Sequence, residues 1–338
     1  MSVFKKRKFL ALITPIVTGL IFGGLLSGCG SVRTVTQDTI LSSPEVVIDE
    51  QEIPLANADL TFINTVFEIP MPDTPGLLAE SNNKAFIDYS NKHYGYVTVG
   101  FTGSTENMLR VLMIEPGGRE YIFNLTPGTI EVLPLTNGNG RYIISVHEHI
   151  VGNTFLDIIF VTIDVELIEE FAPFIRPNQL IWYDNESPTT KEANELRLVS
   201  YNQNDLIRAI YNFVVENIIY DFELAEAVEL DYTADIYRVL ERRSGICLDI
   251  ATLTVAMLRS QGIPAKLVFG YLYDQNHGNI YHAWVSVFSV EDGYVSDNIY
   301  FTAGTWNLLD PTTDTILTMS ESGVTVGAGK IYHDLYYY

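Results

Sequence analysis

The stretch "RRSGICLDIATLTVAMLRSQGIP", residues 242–264, decides the fold. Apolar residues recur in it at the spacing of one helix face, at Ile246, Ile250, Leu253, Met257 and Leu258. The opposite face is also apolar, which predicts a central helix that is buried on both sides. Gly262, with Pro264 just beyond it, is the predicted end of this helix.

Cys247 falls in the first turn of the predicted helix and is one of only two cysteines in 338 residues. Unsatisfied N–H groups and the positive end of the helix dipole stabilise a thiolate at such a position. Cys247 is therefore a candidate nucleophile. A free cysteine also commonly serves as a small buried hydrophobe, so its position alone leaves both interpretations open.

A thiolate nucleophile needs a proton partner, and the following strands offer one. The run "GNIYHAWVSVF" alternates as a strand and places His282 among apolar residues, where a buried imidazole must satisfy two nitrogens. The next strand-like run, "TWNLLDPTTD", ends near Asp310. A histidine bonded to the backbone and an Asp–Pro turn are the structural alternatives. Together with Cys247, these residues have the chemistry of a Cys-His-Asp triad.

The order of the motifs resembles the bacterial transglutaminase-like superfamily over roughly residues 178–313. The motifs that carry the resemblance are "AIYNFVVENIIYD", "SGIC", "LRSQGIPAKLVFGY", "HAWVSV" and "WNLLDPT". The resemblance implies a papain-like fold, in which a helix carrying Cys247 packs on an antiparallel sheet carrying His282 and Asp310. It implies that Cys247 is the nucleophile, His282 the general base and acid, and Asp310 the residue that orients the imidazole.

The resemblance implies attack on an amide or peptide carbonyl and a thioester acyl-enzyme. A surface-tethered hydrolase or protease acting on a protein or peptide is the favoured function. A protein-glutamine acyltransferase and a non-catalytic cell-surface binding or scaffold protein are the alternatives. His277 does not fit the motif, and Tyr220 is a neighbour of the site without an assigned role. No cofactor is expected.

Upstream, short alternating runs are separated by Gly, Pro and Asn turn signals between Lys84 and Leu167. This spacing predicts an antiparallel β-sandwich at 80–170. His147 and His149 alternate on one of its strands, but a metal site needs a third ligand, and two surface histidines are the better interpretation. No calcium-loop motif is evident, so no metal is assigned. The predicted fold class is α+β, with the sandwich followed by a papain-like, transglutaminase-like α+β catalytic domain at 178–338.

The N-terminus has the order of an export signal. A basic segment, an apolar run from Phe9 to Leu26 and small residues precede Cys29. This resembles the bacterial lipobox, which implies a signal peptide at 1–28, a lipidated Cys29 and a flexible tether at 29–60. The alternative is an uncleaved transmembrane anchor. Both interpretations place the protein on the cell membrane, with its bulk outside the cytoplasm.

Charge restricts the partners. The sequence has 20 Lys and Arg against 42 Asp and Glu, and residues 1–28 hold four of those basic residues and no acid. Without that segment the formal charge is near −26. Nucleic acid and anionic lipid surfaces repel such a chain, so neither is expected as a partner.

Overall fold

The computed structural model describes residues 66–229, 232–274, 278–319 and 331–338. Three of the sequence predictions lie outside these residues: the signal peptide at 1–28, the tether at 29–60 with Cys29, and the position of His277. None of the helices in the described ranges is long and apolar enough to cross a membrane.

The N-terminal part is built from two four-stranded antiparallel sheets. One has the order β1-β2-β3-β6 and the other β5-β4-β7-β8. The strands are β1 (Ala79–Ser81), β2 (Ala85–Asp88), β3 (Tyr96–Phe101), β4 (Leu109–Ile114), β5 (Glu120–Leu125), β6 (Ile130–Pro134), β7 (Gly140–Val151) and β8 (Thr154–Val165).

Both sheets contribute to one buried cluster, with Val97 and Val99 on one side and Val111, Met113 and Val146 on the other. The two sheets therefore face each other across a common core, which is the predicted β-sandwich. In β4 and β5, alternate residues point into this core, as the alternating sequence pattern requires.

The C-terminal part contains helices on a third antiparallel sheet. Its helices are α1 (Pro188–Arg197), α2 (Gln203–Asn217), α3 (Phe222–Ala227), α4 (Ile236–Arg242), α5 (Cys247–Ser260) and α6 (Pro311–Met319). Its strands are β9 (Ile219–Tyr220), β10 (Ser244–Gly245), β11 (Ala265–Asp274), β12 (Gly278–Ser289), β13 (Gly293–Ser296), β14 (Ile299–Phe301), β15 (Thr305–Leu309) and β16 (Ile331–Tyr337).

The third sheet has the order β15-β12-β11-β16, and α5 packs against β11 and β12. Every residue of α5 from Asp249 to Ser260 is buried, so the prediction of a central helix is confirmed. The helix ends as predicted, because Gly262 adopts the left-handed conformation with φ of 76°. The fold class is α+β, as predicted.

The start of α4 differs from the sequence prediction. The sequence predicts a short helix around Thr233 to Arg243 with Thr233 as its cap, but the side chain of Asp235 accepts a hydrogen bond from the Arg238 N–H and the helix begins at Ile236. Aspartate is at least as good a cap as threonine, and here it lies next to the first buried residue of the helix.

The two parts have separate buried clusters of apolar side chains. The last strand joins them, because Tyr336 and Tyr338 contact the edge of the Tyr121 ring of the sandwich, with ring centroids 5.2 and 5.3 Å away. Tyr338 also packs against the second cluster. The division into domains at 80–170 and 178–338 stays a prediction.

Candidate active site

Cys247 is the first residue of α5 and is half-buried against the apolar cluster of the C-terminal part. The residue before it, Ile246, is extended and caps the helix with backbone geometry alone. Its N–H is bound by the carboxylate of Asp249, with Oδ2 at 2.9 Å. An acidic side chain at the third helical position thus fixes the turn that presents Cys247.

Asp249 is fully buried and is held from a second side. The hydroxyl of Tyr232 lies 2.9 Å from Oδ1 and 3.0 Å from Oδ2. Burial raises the pKa of Asp249, the hydrogen bonds from Ile246 and Tyr232 lower it, and the net shift is upward. The sequence analysis missed Asp249, although an acid reaching back to the helix start is a recognisable capping signal.

His282 and Asp310 form a buried pair, with 2.9 Å between Nε2 and Oδ2. His282 lies on β12, and Asp310 follows the last residue of β15. These strands are neighbours with Val285 opposite Leu309, so the sheet register brings together two residues 28 positions apart. Both side chains are more than 90% buried.

The bond to Asp310 uses Nε2 and leaves Nδ1 as the nitrogen that can exchange a proton with another group. Burial lowers the pKa of His282, but the charge and hydrogen bond of Asp310 raise it, and so do a hydrogen bond with Cys247 and its charge. The net shift is upward. His282 therefore lies between the carboxylate of Asp310 and the thiol of Cys247, and the role of each residue stays a prediction.

Asp310 is held by two further hydroxyl groups. Thr313 Oγ1 and the Tyr332 hydroxyl donate to the same oxygen, Oδ2, over 2.7 and 2.9 Å. Burial raises the pKa of Asp310, while the charge and hydrogen bond of His282 and the bonds from Thr313 and Tyr332 lower it, so the net shift is downward. The second oxygen, Oδ1, is buried without a hydrogen-bond partner among the described residues.

Aromatic rings enclose the pair. Trp284 stacks beside His282 with ring centroids 6.0 Å apart, and the edge of Tyr332 meets Trp284 at 5.1 Å. Tyr220 lies opposite Gly245 in the β9–β10 ladder, two residues before Cys247. Burial and then the charge of Cys247 raise the pKa of Tyr220, which places this ring beside the thiol, as the sequence analysis expected.

The other histidines that the sequence singled out lie away from this cluster. His147 bonds to Ser145 and Asp157 on the sandwich, whereas a His149 ring nitrogen lies 2.9 Å from the Gly152 carbonyl. The two histidines therefore have different partners. Across the part of the chain that the structure describes, no group of three or more His, Cys, Asp or Glu side chains is arranged to hold a metal ion.

Residues 192–311 match the sequence model of the transglutaminase-like superfamily. This range begins in α1, contains Cys247 and His282, and ends one residue after Asp310. This region of the chain is transglutaminase-like. The match covers the helix that carries the thiol and the strands that carry the imidazole and the carboxylate.

Proteins of three other organisms are similar to part of this chain, and two of them are described as uncharacterised. One from Mycobacterium leprae is 34% identical over 103 residues, which is 28% of this chain and 31% of that protein. One from Mycobacterium tuberculosis is 30% identical over 33% of this chain and 38% of its own length. A UPF0252 protein of Methanocaldococcus jannaschii is 30% identical over 39% of this chain and 37% of that protein. The chain thus spans about a third of the length of the curated relatives it matches.

Two solved structures align with this chain at low similarity. One, from Cytophaga hutchinsonii, is described as a candidate cysteine protease, with a TM-score of 0.34 and 16% identity over 66% of this chain and 74% of that one. The other is red sea bream transglutaminase, with a TM-score of 0.29 and 13% identity over 64% of this chain and 48% of that one.

Proposed function

We propose that the chain is a cysteine enzyme that cleaves amide or peptide bonds through a thioester acyl-enzyme. Cys247 is the nucleophile, His282 the general base and acid, and Asp310 the residue that orients the imidazole. The observation that carries this proposal is the buried 2.9 Å bond from His282 Nε2 to Asp310, which reserves the other ring nitrogen for the thiol.

The protonation state of the pair supports this mechanism. The raised pKa of His282 keeps the imidazole charged near neutral pH, next to the thiol. An imidazolium beside a sulfur favours the thiolate, which attacks the carbonyl carbon. His282 then gives its proton to the leaving amine, and a water molecule that loses a proton to His282 hydrolyses the thioester.

The start of α5 supplies groups for the oxyanion. The first N–H groups of a helix have no partner within the helix, and Cys247 and Leu248 occupy these positions. Because the Ile246 N–H is already bound by Asp249, the N–H groups of Cys247 and Leu248 are the better candidates. A carbonyl oxygen that acquires negative charge beside Cys247 would be stabilised there.

Hydrolysis is the favoured outcome, and acyl transfer to an amine is the alternative. One observation favours an amine acceptor: the charges of Asp221 and Asp235 are close enough to raise the pKa of Asp249, below the nucleophile. A protonated amine would be attracted to this group of carboxylates. Product analysis with and without a primary amine separates the two reactions.

The decisive experiment is the intact mass of the full chain after reaction with an electrophilic amide probe. We expect one adduct on Cys247 in wild type and none on Cys247→Ala. Asp310→Asn should react more slowly, because a neutral amide no longer stabilises the imidazolium that favours the thiolate. The matched control is Asp314→Asn. Asp314 lies four residues after Asp310 and accepts a hydrogen bond from the Tyr211 hydroxyl.

Equal labelling of wild type and Asp310→Asn would contradict the triad. An adduct without any turnover of amide substrates would favour the alternative of a binding or scaffold protein.

We also propose that the enzyme is a lipoprotein of the cell membrane, anchored through Cys29 and facing outward. The order of basic, apolar and small residues before Cys29 supports this. The N-terminal peptide of the membrane-extracted protein should begin at Cys29 and carry the mass of acyl chains. Recovery of that protein with residues 1–28 still attached would contradict it.

A further inference from the structure

A second cluster of a hydroxyl, an imidazole and a carboxylate lies on the β-sandwich. Ser145 Oγ is 2.7 Å from His147 Nε2, and His147 Nδ1 is 3.0 Å from Asp157 Oδ1. These are the contacts by which a histidine activates a serine hydroxyl while a carboxylate orients the ring. The transglutaminase-like site uses none of these residues.

The sheet explains how the group forms. Ser145 and His147 are two residues apart on β7, so they share the outer face of the β5-β4-β7-β8 sheet. Asp157 on β8 is the register partner of His147, which follows from a shift in the β7–β8 ladder between Val146 and His147. The irregularity thus places a carboxylate beside the imidazole.

The hydrogen bonds define the proton positions. An ionised carboxylate only accepts hydrogen bonds, so Nδ1 of a neutral His147 carries the proton and donates to Asp157. In this tautomer Nε2 accepts a hydrogen bond from the Ser145 hydroxyl at 2.7 Å, and the Leu112 carbonyl oxygen lies farther from that hydroxyl, at 3.4 Å. The His147 side chain is only 10% exposed while that of Asp157 is 65% exposed, so the ring is held in place at the edge of solvent.

The neighbouring side chains indicate a ligand class. One row across the outer face contains Ser145, its register partners Leu112 and Phe160, and Ile122 beyond Leu112. Phe160 is 68% exposed and Ile122 51%, which gives apolar surface on both sides of the hydroxyl.

In the next row, Arg110 is the register partner of His147 and donates to Asn124. A substrate here meets apolar surface and a cation that can stabilise an oxyanion.

We propose that Ser145 is the nucleophile of a second site, which hydrolyses carboxylic esters with an apolar acyl group. Ser145 Oγ forms a bond to the carbonyl carbon while its proton passes to His147 Nε2. The ester C–O bond then breaks, and the same proton goes to the departing alkoxide to give an alcohol. A water molecule repeats the sequence on the acyl-serine, which releases the carboxylic acid and restores the hydroxyl.

The test uses the full chain carrying Cys247→Ala, so that the thiol contributes no ester cleavage. Two probes are used: 4-nitrophenyl butyrate hydrolysis, and labelling by an alkyl fluorophosphonate with the modified residue located by peptide mass spectrometry. We expect labelling at Ser145 and loss of both signals in Ser145→Ala. Asp157→Asn should slow labelling about 100-fold or more, because the ring loses its orientation.

Thr162→Ala is the matched control, since Thr162 is an exposed hydroxyl residue on the same face of β8, opposite Ile143, and contacts no part of the group. It should react like the Cys247→Ala parent. The Asp157 substitution is at an exposed side chain, so folding is retained and a loss of reactivity reports on the group itself. Three results would each overturn the proposal. They are the absence of labelling at Ser145, equal labelling of other exposed serines, and an unchanged labelling rate in Asp157→Asn. Because the parent lacks the thiol, these outcomes leave the function proposed for Cys247 unaffected.

Discussion

Tyr332 and His282 bind the same carboxylate oxygen, Oδ2 of Asp310, each over 2.9 Å. Tyr332 is 22 residues beyond Asp310 and lies on β16, opposite Leu272 of β11. The ring of Trp284 contacts both Tyr332 and His282. The tyrosine therefore helps to hold the carboxylate oxygen that accepts the hydrogen bond from the imidazole.

Tyr332→Phe should slow alkylation of Cys247 by iodoacetamide about 3- to 30-fold at neutral pH, because Asp310 loses a donor that holds it in place. In wild type, the hydrogen bond from Tyr332 lowers the pKa of Asp310, and the variant lacks this bond. The pKa of Asp310 should therefore rise in the variant, and the acid limb of the alkylation rate profile should move to higher pH. Peptide mass spectrometry isolates the rate at Cys247.

Tyr336→Phe is the control for this substitution. Tyr336 lies on the same strand and packs on Tyr121 of the sandwich. Its variant should keep the wild-type pH profile. A profile that is identical in all three proteins would show that Tyr332 only supports the fold.

The His282–Asp310 pair should make stability depend on pH. The folded pKa of His282 lies above its ordinary value of 6.5, so its contribution is complete below pH 6.5 and is lost as pH rises through the folded pKa. The folded pKa of Asp310 lies below 3.8, so its contribution is complete above that pH and is lost as pH falls.

The difference in the free energy of unfolding between wild type and Asp310→Asn should therefore be largest between pH 3.8 and 6.5 and shrink at the alkaline end. We expect a maximum of about 3 kcal/mol, as for other broken buried pairs. Urea denaturation at several pH values measures it. A difference that grows above pH 9 would contradict this assignment of the pair.

Gly270→Ala should be strongly destabilising. A Cβ atom there would lie 2.0 Å from the carbonyl oxygen of His333 and 2.6 Å from the Trp284 ring. The carbonyl belongs to the paired strand β16 and has little room to move, so we expect a loss of about 3 kcal/mol or more in unfolding free energy.

Gly103→Ala is the comparison, because its added methyl group would meet only the tip of the Phe101 ring and the Lys84 side chain. We expect a cost below about 1.5 kcal/mol for this variant. Equal costs at the two glycines, measured by thermal or urea unfolding, would show that β16 moves aside.

Lys266 should titrate below the ordinary pKa of a lysine side chain. Its amine lies 3.7 Å from the Trp306 ring centroid and 4.8 Å from that of Phe174. Burial lowers the pKa of Lys266 to about 8, while the charges of Asp334 and Glu170 raise it less. Reductive ¹³C-methylation followed by NMR titration should give the Lys266 resonance a midpoint near pH 8. A normal midpoint would indicate that water reaches the amine.

Local signals made the centre of the fold predictable from the sequence. The helix at Cys247, the strand at His282 and the turn at Asp310 each have a periodicity or punctuation that short-range physics imposes. The sandwich strands were predictable for the same reason. The cap of α4 was assigned wrongly, because both Thr233 and Asp235 can cap a helix and packing decided between them.

Residues that depend on long-range register were not predictable. Tyr332 reaches Asp310 only because β16 pairs with β11, and nothing in the segment around residue 332 indicates this pairing. Ser145 and His147 could be placed on one face from their spacing. Their carboxylate partner depends on the irregular β7–β8 ladder, which a single sequence does not specify.

The position of β16 has a consequence for biosynthesis. Cys247, His282 and Asp310 all leave the ribosome before Tyr332, because translation runs from the N-terminus. Until residues 331–337 have emerged, β11 has an open edge and Asp310 lacks the hydroxyl of Tyr332. Asp310 therefore gains the hydroxyl of Tyr332 as a donor, in addition to His282 and Thr313, only after β16 has docked on β11.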